Sequence, residues 1–311
     1  MNRILVVRGG AIGDFVLTLP AIKLLRDRFP HAHLEILGAK HIAALAEERF
    51  YAEAVRSIES GSLARMFARD AELSPDLAAY FAGFDLILSY LYDPDKIFET
   101  NIQQCSAATF IAGPSKPDKS EHASLQLARP LQALGLFLAD PAARLFPSEA
   151  DRLAVRKCRS NHQRTIALHC GSGSETKNWP IENWVELGDA LVAKGHNLLF
   201  IAGEADRERT QKLRATWQEG SVQFAENLPL TQVAALIEET AFIGHDSGIS
   251  HIAAATGACC LLLFGPTDPA IWAPRNENVT VLRAPKGDLR LLQVGEVENE
   301  IYELMRIGIR T

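Results

Sequence analysis

The sequence offers little with which to hold a metal or build a disulfide framework. Its five cysteines, Cys105, Cys158, Cys170, Cys259 and Cys260, form no CxxC pair, and an odd number at such spacings fits reduced thiols. GxSxG, HExxH and GxxxxGK[ST] motifs are also missing, which removes the commoner hydrolase and P-loop ATPase chemistries. No apolar run approaches the roughly 18 residues a membrane span needs, and the early "ILVV" is too short for a signal-peptide core. Positive charge is in deficit: 32 Lys and Arg against 38 Asp and Glu leave a formal charge of −6. That argues against nucleic acid as a partner and leaves room only for a local basic patch facing a phosphorylated substrate. There is no tandem repeat or low-complexity segment. The expectation is a cytoplasmic globular protein whose membrane contact, if any, is peripheral.

What is present is alternation. Short β-branched or leucine-rich runs predict strands near 4–7, 33–37, 86–89 and 109–111, then near 165–169, 197–201, 241–243, 260–264 and 279–282. Helical spacing predicts helices over 20–29, 181–193, 207–216, 230–238 and 247–256. Such alternation is the pattern of parallel sheets wound by crossover helices, and the count fits two successive α/β doubly wound units. The proline-rich, charged stretch "FLADPAARLFPSEADR" interrupts the pattern and sets a seam between Phe137 and Gln163, with a first domain at 1–150 and a second at 151–288. A final amphipathic stretch, 289–311, has no strand after it and is expected to pack back on the first domain.

The segment "RILVVRGGAIGDFVLTLPAIKLL" places a glycine-rich turn directly after the first strand. A dinucleotide fingerprint would set glycine where Arg8 stands, and an acid about 20 residues on, for which Glu35 inside a strand is a poor match. Asp14 then occupies the place where a helix N-terminus should receive phosphate. A carboxylate there repels a diphosphate, whereas the helix dipole stabilises its charged form, so Asp14 reads either as a helix cap or as an anion able to accept a proton. Gly9, Gly10 and Gly13 then keep the turn compact so that a substrate hydroxyl can approach, with Gly10 and Gly13 on that side.

In the second half, "LHCGSGSETKNWPIENW" sets a small-residue loop after a strand, and the amides of Gly171, Ser172, Gly173 and Ser174 can approach phosphate oxygens. Lys177 is either a solvated loop lysine or a charge on the same phosphates. Glu204 follows the next strand, where nucleotide folds place an acid for ribose hydroxyls and where a glutamate also simply favours a helix start. "GHDSGISHIAAATG" ends a strand and starts a helix with Asp246, Ser247, Gly248, Ile249, Ser250 and His251, an anion site at a helix N-terminus. His251 taken singly reads equally as a packed core residue. Asp93 and Asp95 in "YDPDK" have the spacing of a metal-binding pair, but Pro94 between them favours a cap and a first-turn acid. His31 and His33 read as surface residues. The loop "FGPTDPAIWAP" falls on the same presumed ligand edge.

Together "RGGAIGDFVLTLPAIKLLRDRFP", "KNWPIENW", "GHDSGISHIAAATG" and "LFGPTDPAIWAP" resemble glycosyltransferase family 9, the ADP-heptose:lipopolysaccharide heptosyltransferases. The resemblance implies a GT-B fold, two Rossmann-like doubly wound domains facing across a cleft, with the acceptor on the first and the nucleotide sugar on the second. It implies an inverting, metal-independent transfer that uses no cofactor, the ADP-sugar being a substrate. Asp14 matches the family's general base, Lys177 its diphosphate lysine, Glu204 its ribose acid, and Asp246 with the stretch Ser247, Gly248, Ile249, Ser250 and His251 its phosphate loop. The partners implied are a nucleotide-sugar donor, ADP-heptose first among them, and a lipid-linked or core-oligosaccharide acceptor. The chain departs from the family pattern at Cys170, where proline is usual, at His245, where asparagine is common, and at Ile249 and Ser250, where Pro-Met is frequent. Other donors or acceptors, a nicotinamide-dependent oxidoreductase and a non-catalytic nucleotide-binding subunit are the competing readings. Arg8 and Asp14 oppose the second of these, and the presence of both Asp14 and Lys177 opposes the third.

Overall fold

The computed structural model describes residues 1–159, 165–217, 222–238 and 240–308, and forms two compact units, Met1–Pro141 and Ala142–Thr311. The first runs β1 (Arg3–Arg8), α1 (Ile12–Arg28), β2 (His33–Gly38), α2 (Lys40–Ala43), β3 (Ala54–Ser57), α3 (Pro75–Ala82), β4 (Leu86–Ser89), α4 (Ile97–Cys105), β5 (Thr109–Ala112) and α5 (Ala123–Ala128). Its five strands are all parallel, in the order β3-β2-β1-β4-β5. Helices on both faces explain why β1 is a continuous apolar run rather than an alternating one: Ile4, Leu5, Val6 and Val7 are wholly buried.

Helix α1 starts eight residues before the expected position and carries Pro20 inside it. Proline at a helix start is the commoner case, but here residues 15–22 are all buried. Burial at about 1.5–3 kcal/mol per large apolar side chain outweighs the roughly 3 kcal/mol that an internal proline costs.

The second unit runs α6 (Glu149–Val155), β6 (Thr165–His169), α7 (Ile181–Ala193), β7 (Asn197–Ala202), α8 (Arg207–Thr216), β8 (Val222–Glu226), α9 (Leu230–Ile237), β9 (Ala241–His245), α10 (Gly248–Ala255), β10 (Cys259–Phe264), α11 (Pro269–Trp272), β11 (Val279–Arg283) and α12 (Val294–Gly308). Its parallel sheet has the order β11-β10-β9-β6-β7-β8. The edge strands β3 and β8 escape the sequence reading because they are short and partly polar, "AVRS" and "VQFAE".

The units divide at 141/142 rather than at 150/151. The Leu145 amide donates to the Ala255 carbonyl (2.8 Å), the Asn276 side chain donates to the Ala143 carbonyl (2.8 Å), and α6 packs on α9, so this segment belongs to the second unit. Part of the expected seam, 160–163, lies outside the described residues. The last helix packs on α7 and β10 of its own unit, with Val297 and Ile301 buried in one core with Trp184, Leu187 and Leu263. No helix of the described residues is long and apolar enough to cross a membrane.

Strand order fixes where ligands go. In an open parallel sheet the chain winds one way from the first strand and then the other, and the loops diverging at that switch leave a crevice at the carboxyl ends. The switch lies between β1 and β4 in the first unit, and between β6 and β9 in the second, where His169 pairs with Gly244.

Candidate active site

At the first switch, Ala11 is extended (φ −81°, ψ 172°) and α1 begins at Ile12, so Asp14 lies in the opening turn. Its Oδ2 accepts the Ala11 amide (3.0 Å), and its side chain is 34% exposed. Gly10 is required here twice over: its φ is +95°, and a Cβ would stand 2.8 Å from Asp14 Oδ2. Gly13 sits half-buried in the first turn of α1, while Gly9 has only ordinary contacts and leaves room for a side chain. Arg8, in place of the fingerprint glycine, turns inward and is 3% exposed. It donates to the Ser115 carbonyl (3.1 Å) and the Asp14 carbonyl (3.2 Å), stands 3.7 Å from Asp14 Oδ1 and lies over the Tyr90 ring. Burial lowers the guanidinium's pKa, opposed by Asp14 and Tyr90. Glu35 accepts from Tyr80 (2.7 Å) and Arg56 (3.4 Å), a packing role far from a ribose acid.

Asp93 is a helix-start acceptor, taking the amides of Ile97 (2.8 Å) and Glu99 (3.0 Å), while Asp95 pairs with Arg69. The helix begins at Ile97, because Lys96 adopts a left-handed conformation (φ +56°), so Asp95 precedes it rather than lying in its first turn.

At the second switch the loops after β6 and β9 meet. Lys177 Nζ lies 2.7 Å from Asp246 Oδ2, and Thr267, from the proline-rich loop after β10, donates to the same oxygen (2.8 Å). Three separate motifs thus converge on one carboxylate. Ser247 caps α10 by accepting the Ser250 amide (3.4 Å). Four amides at a helix start lack an intrahelical partner, and among the described residues those of Gly248 and Ile249 are left open. Beside Lys177 they form a patch with the sign to receive an anion.

Other predicted residues sit differently. Ser250 is buried and its hydroxyl donates to the His245 carbonyl, while the His251 ring is 5% exposed in the first turn of α10. Gly171 is buried, and a Cβ on it would lie 1.6 Å from Asp206 Oδ1, so glycine is there to admit a carboxylate. Ser172 donates to the Ser174 carbonyl (2.9 Å), and Gly173 and Ser174 are exposed at the tip. Glu204 is exposed just past β7, whereas Asp206, two residues on, is buried and accepts the Gly203 amide (2.9 Å). Burial first, and Asp206 second, push the Cys170 thiol up to about 12, so it stays protonated.

The sequence reading missed Thr267, Asp206, Arg209 and the structural use of His245. Thr267 had a signal in its position after a buried strand. Arg209, which donates to Glu175 (2.6 Å) and the Trp179 carbonyl (3.4 Å), had none, because only folding brings α8 to that loop. Arg209, Glu175, Asn178, Pro266, Asp288 and Arg290 line a cavity of about 610 Å³ beside this loop.

Two Rossmann-like parallel sheets in series, each with its own switch point, make a GT-B fold. The whole chain superposes on a glycosyl transferase family 9 structure from Veillonella parvula with a TM-score of 0.82 at 19% identity, covering 98% of each chain. It superposes on the Escherichia coli ADP-heptose lps heptosyltransferase II with a TM-score of 0.77 at 17% identity, covering 99% of each. Residues 118–300 match glycosyltransferase family 9 (heptosyltransferase), and the chain belongs to that family. The match holds the whole β6-to-β11 sheet and leaves the Asp14 segment outside it.

Among curated relatives, the Haemophilus influenzae lipooligosaccharide heptosyltransferase 2 is 28% identical over 132 residues, 41% of this chain and 38% of that one. The Escherichia coli lipopolysaccharide heptosyltransferase 1 of strain RS218 is 27% identical over 187 residues, 60% of this chain and 56% of that one. The chain thus spans about half the length of the curated relatives it matches.

Proposed function

We propose that the chain is an inverting, metal-independent glycosyltransferase that moves a heptose from an ADP-sugar to a lipopolysaccharide-core-type acceptor, lipid-linked or oligosaccharide. The observation that carries the donor half is the convergence of Lys177 and Thr267 on Asp246, the residue just before the α10 N-cap Ser247. An aspartate beside a diphosphate is unfavourable unless its charge is balanced. Here the Lys177 ammonium balances it and the Thr267 hydroxyl donates to the same oxygen, so Asp246 holds the ammonium in place before the ligand arrives. An Escherichia coli heptosyltransferase has been solved with ADP and with ADP-2-deoxy-2-fluoro heptose, which supports an adenine nucleotide as the donor's leaving group. In this reading the transfer takes place in the cytoplasm, with peripheral contact at the membrane's inner face where a lipid-linked acceptor would be met.

In this reading an acceptor hydroxyl attacks the anomeric carbon from the face opposite the diphosphate. The new C–O bond forms as the bond from that carbon to the diphosphate oxygen breaks, and the hydroxyl proton passes to Asp14. Charge growing on the departing ADP is met by Lys177 and the Gly248 and Ile249 amides. Asp14 suits the base's part because it is fixed by the Ala11 amide yet one-third exposed.

Kinetics with ADP-heptose and a core acceptor test it. Asp14→Ala should lower kcat by about 100-fold or more, in the range of a lost general base, with ADP affinity near wild type. Lys177→Ala should weaken ADP binding and lower kcat together. Near-normal turnover of the first variant, or unchanged ADP affinity in the second, would overturn the respective assignment.

A further inference from the structure

His245 is the last residue of β9 and is completely buried. Its Nε2 stands 2.9 Å from the main-chain nitrogen of Trp179. That nitrogen can only donate, so Nε2 must present its lone pair, and the ring is the neutral tautomer with its proton on Nδ1. The ring packs edge-on against Trp184 (centroids 5.3 Å, 89°), which in turn packs edge-on against Trp179 (5.4 Å, 79°). The Trp179 indole then donates to the Leu292 carbonyl (3.0 Å). Trp179 is thus fixed at both of its N–H groups, once to the sheet and once to the segment entering α12.

The placement of this latch gives it a consequence beyond packing. Asp246 follows His245 directly, and Lys177 precedes Trp179 by two residues. The ring-to-backbone bond therefore sets the separation between the strand end that carries Asp246 and the loop that carries Lys177, whose Nζ and Oδ2 lie 2.7 Å apart. We infer that His245 is a positioning residue that acts as an uncharged hydrogen-bond acceptor, holding the Lys177 loop where its ammonium meets the donor diphosphate. The inference rests on the reading of Lys177 given under Proposed function.

The groups facing the ring are consistent with acceptor duty alone. Burial, with His169 next in effect, drives the His245 pKa down to about 3; the Gly171 backbone opposes this and Arg209 adds to it. Nδ1 is buried, and the Gly171 backbone is the hydrogen-bonding group beside the ring.

Binding of ADP by calorimetry, on folded variants with melting temperature as a control, tests the assignment. A glutamine at 245 can place an oxygen near the Nε2 position, whereas leucine and phenylalanine offer no acceptor. His245→Gln should bind ADP within about threefold of wild type, and His245→Leu and His245→Phe about tenfold more weakly, the scale of one lost charge-assisted contact. The Lys177→Ala/His245→Leu double variant should bind no more weakly than Lys177→Ala alone, because both remove one interaction. Equal affinity of the Gln and Leu variants, or additive losses in the double variant, would overturn the positioning role. The Phe variant losing melting temperature while keeping its ADP affinity would do the same. Unchanged ADP binding by Lys177→Ala alone would instead reject the underlying reading of Lys177, so the two failures are distinguishable.

Discussion

Two glycines in one loop should respond oppositely to the same added methyl group. A Cβ on Gly171 would lie 1.6 Å from Asp206 Oδ1 and 2.5 Å from its Cγ, whereas a Cβ on Gly173 meets nothing within 4 Å. Asp206 is 7% exposed and tied to the Gly203 amide at 2.9 Å, so it has no free direction in which to retreat. Gly171→Ala must displace the loop or break that capping bond. Overpacking costs about 1–3 kcal/mol, and losing a buried cap about 1–2 kcal/mol, so a net cost near 3 kcal/mol follows. For a unit of this size that lowers the melting temperature by roughly 6–12 °C. Gly173→Ala should be neutral or stabilise by up to about 1 kcal/mol, through the lower entropy of its unfolded chain. Differential scanning calorimetry of both variants decides the matter, with ADP binding as a second readout, since displacing the loop should weaken it for Gly171→Ala alone. Two variants that melt within about 2 °C of each other would refute the argument that the Asp206 carboxylate occupies the space above Gly171.

Gly10→Ala should lower both melting temperature and turnover, because its φ of +95° and the Asp14 carboxylate 2.8 Å from the new Cβ both oppose a side chain; wild-type kcat would contradict the close approach. Acid titration offers another test at Glu53. Burial raises its pKa, but the Leu34 amide and Arg26 outweigh burial and hold the carboxyl below its ordinary value of 4.5. A depressed folded pKa contributes stability above the unfolded value and loses it as pH falls through the folded one. Glu53→Gln should therefore be less stable than wild type at pH 7 and lose less stability below about pH 4.5, and parallel acid profiles would refute this. His245 gives a second window: with a folded value of about 3 against 6.5 unfolded, only the unfolded chain takes up its proton between them. Stability should fall by about 1.4 kcal/mol per unit as pH drops through that window, and this component should vanish in His245→Gln.

Much of the architecture is legible in the chain because buried parallel strands must be continuous apolar runs, as "ILVV" and "CCLLLF" are. Strands β3 and β8 are not legible, since an edge position asks for less burial and leaves a mixed pattern. Pro20 misleads for a related reason: its local preference is a helix start, and only the burial of residues 15–22 explains why α1 runs through it. At the site, Asp14, Lys177 and Asp246 stand out by their position after strands. Ser250 and His251 lie in the same motif, yet helical geometry buries both. The reach of Thr267 and Arg209 into the β6–α7 loop depends on contacts with no local signature.

The sequence by itself determined the α/β alternation and the buried strands and put chemically capable residues at strand ends, because periodicity and turn chemistry act over a few neighbours. The tertiary structure decided which of those residues meet. Strand order brings β6 beside β9, and that adjacency, between segments about 70 residues apart, sets Lys177 on Asp246 and the Trp179 amide on His245.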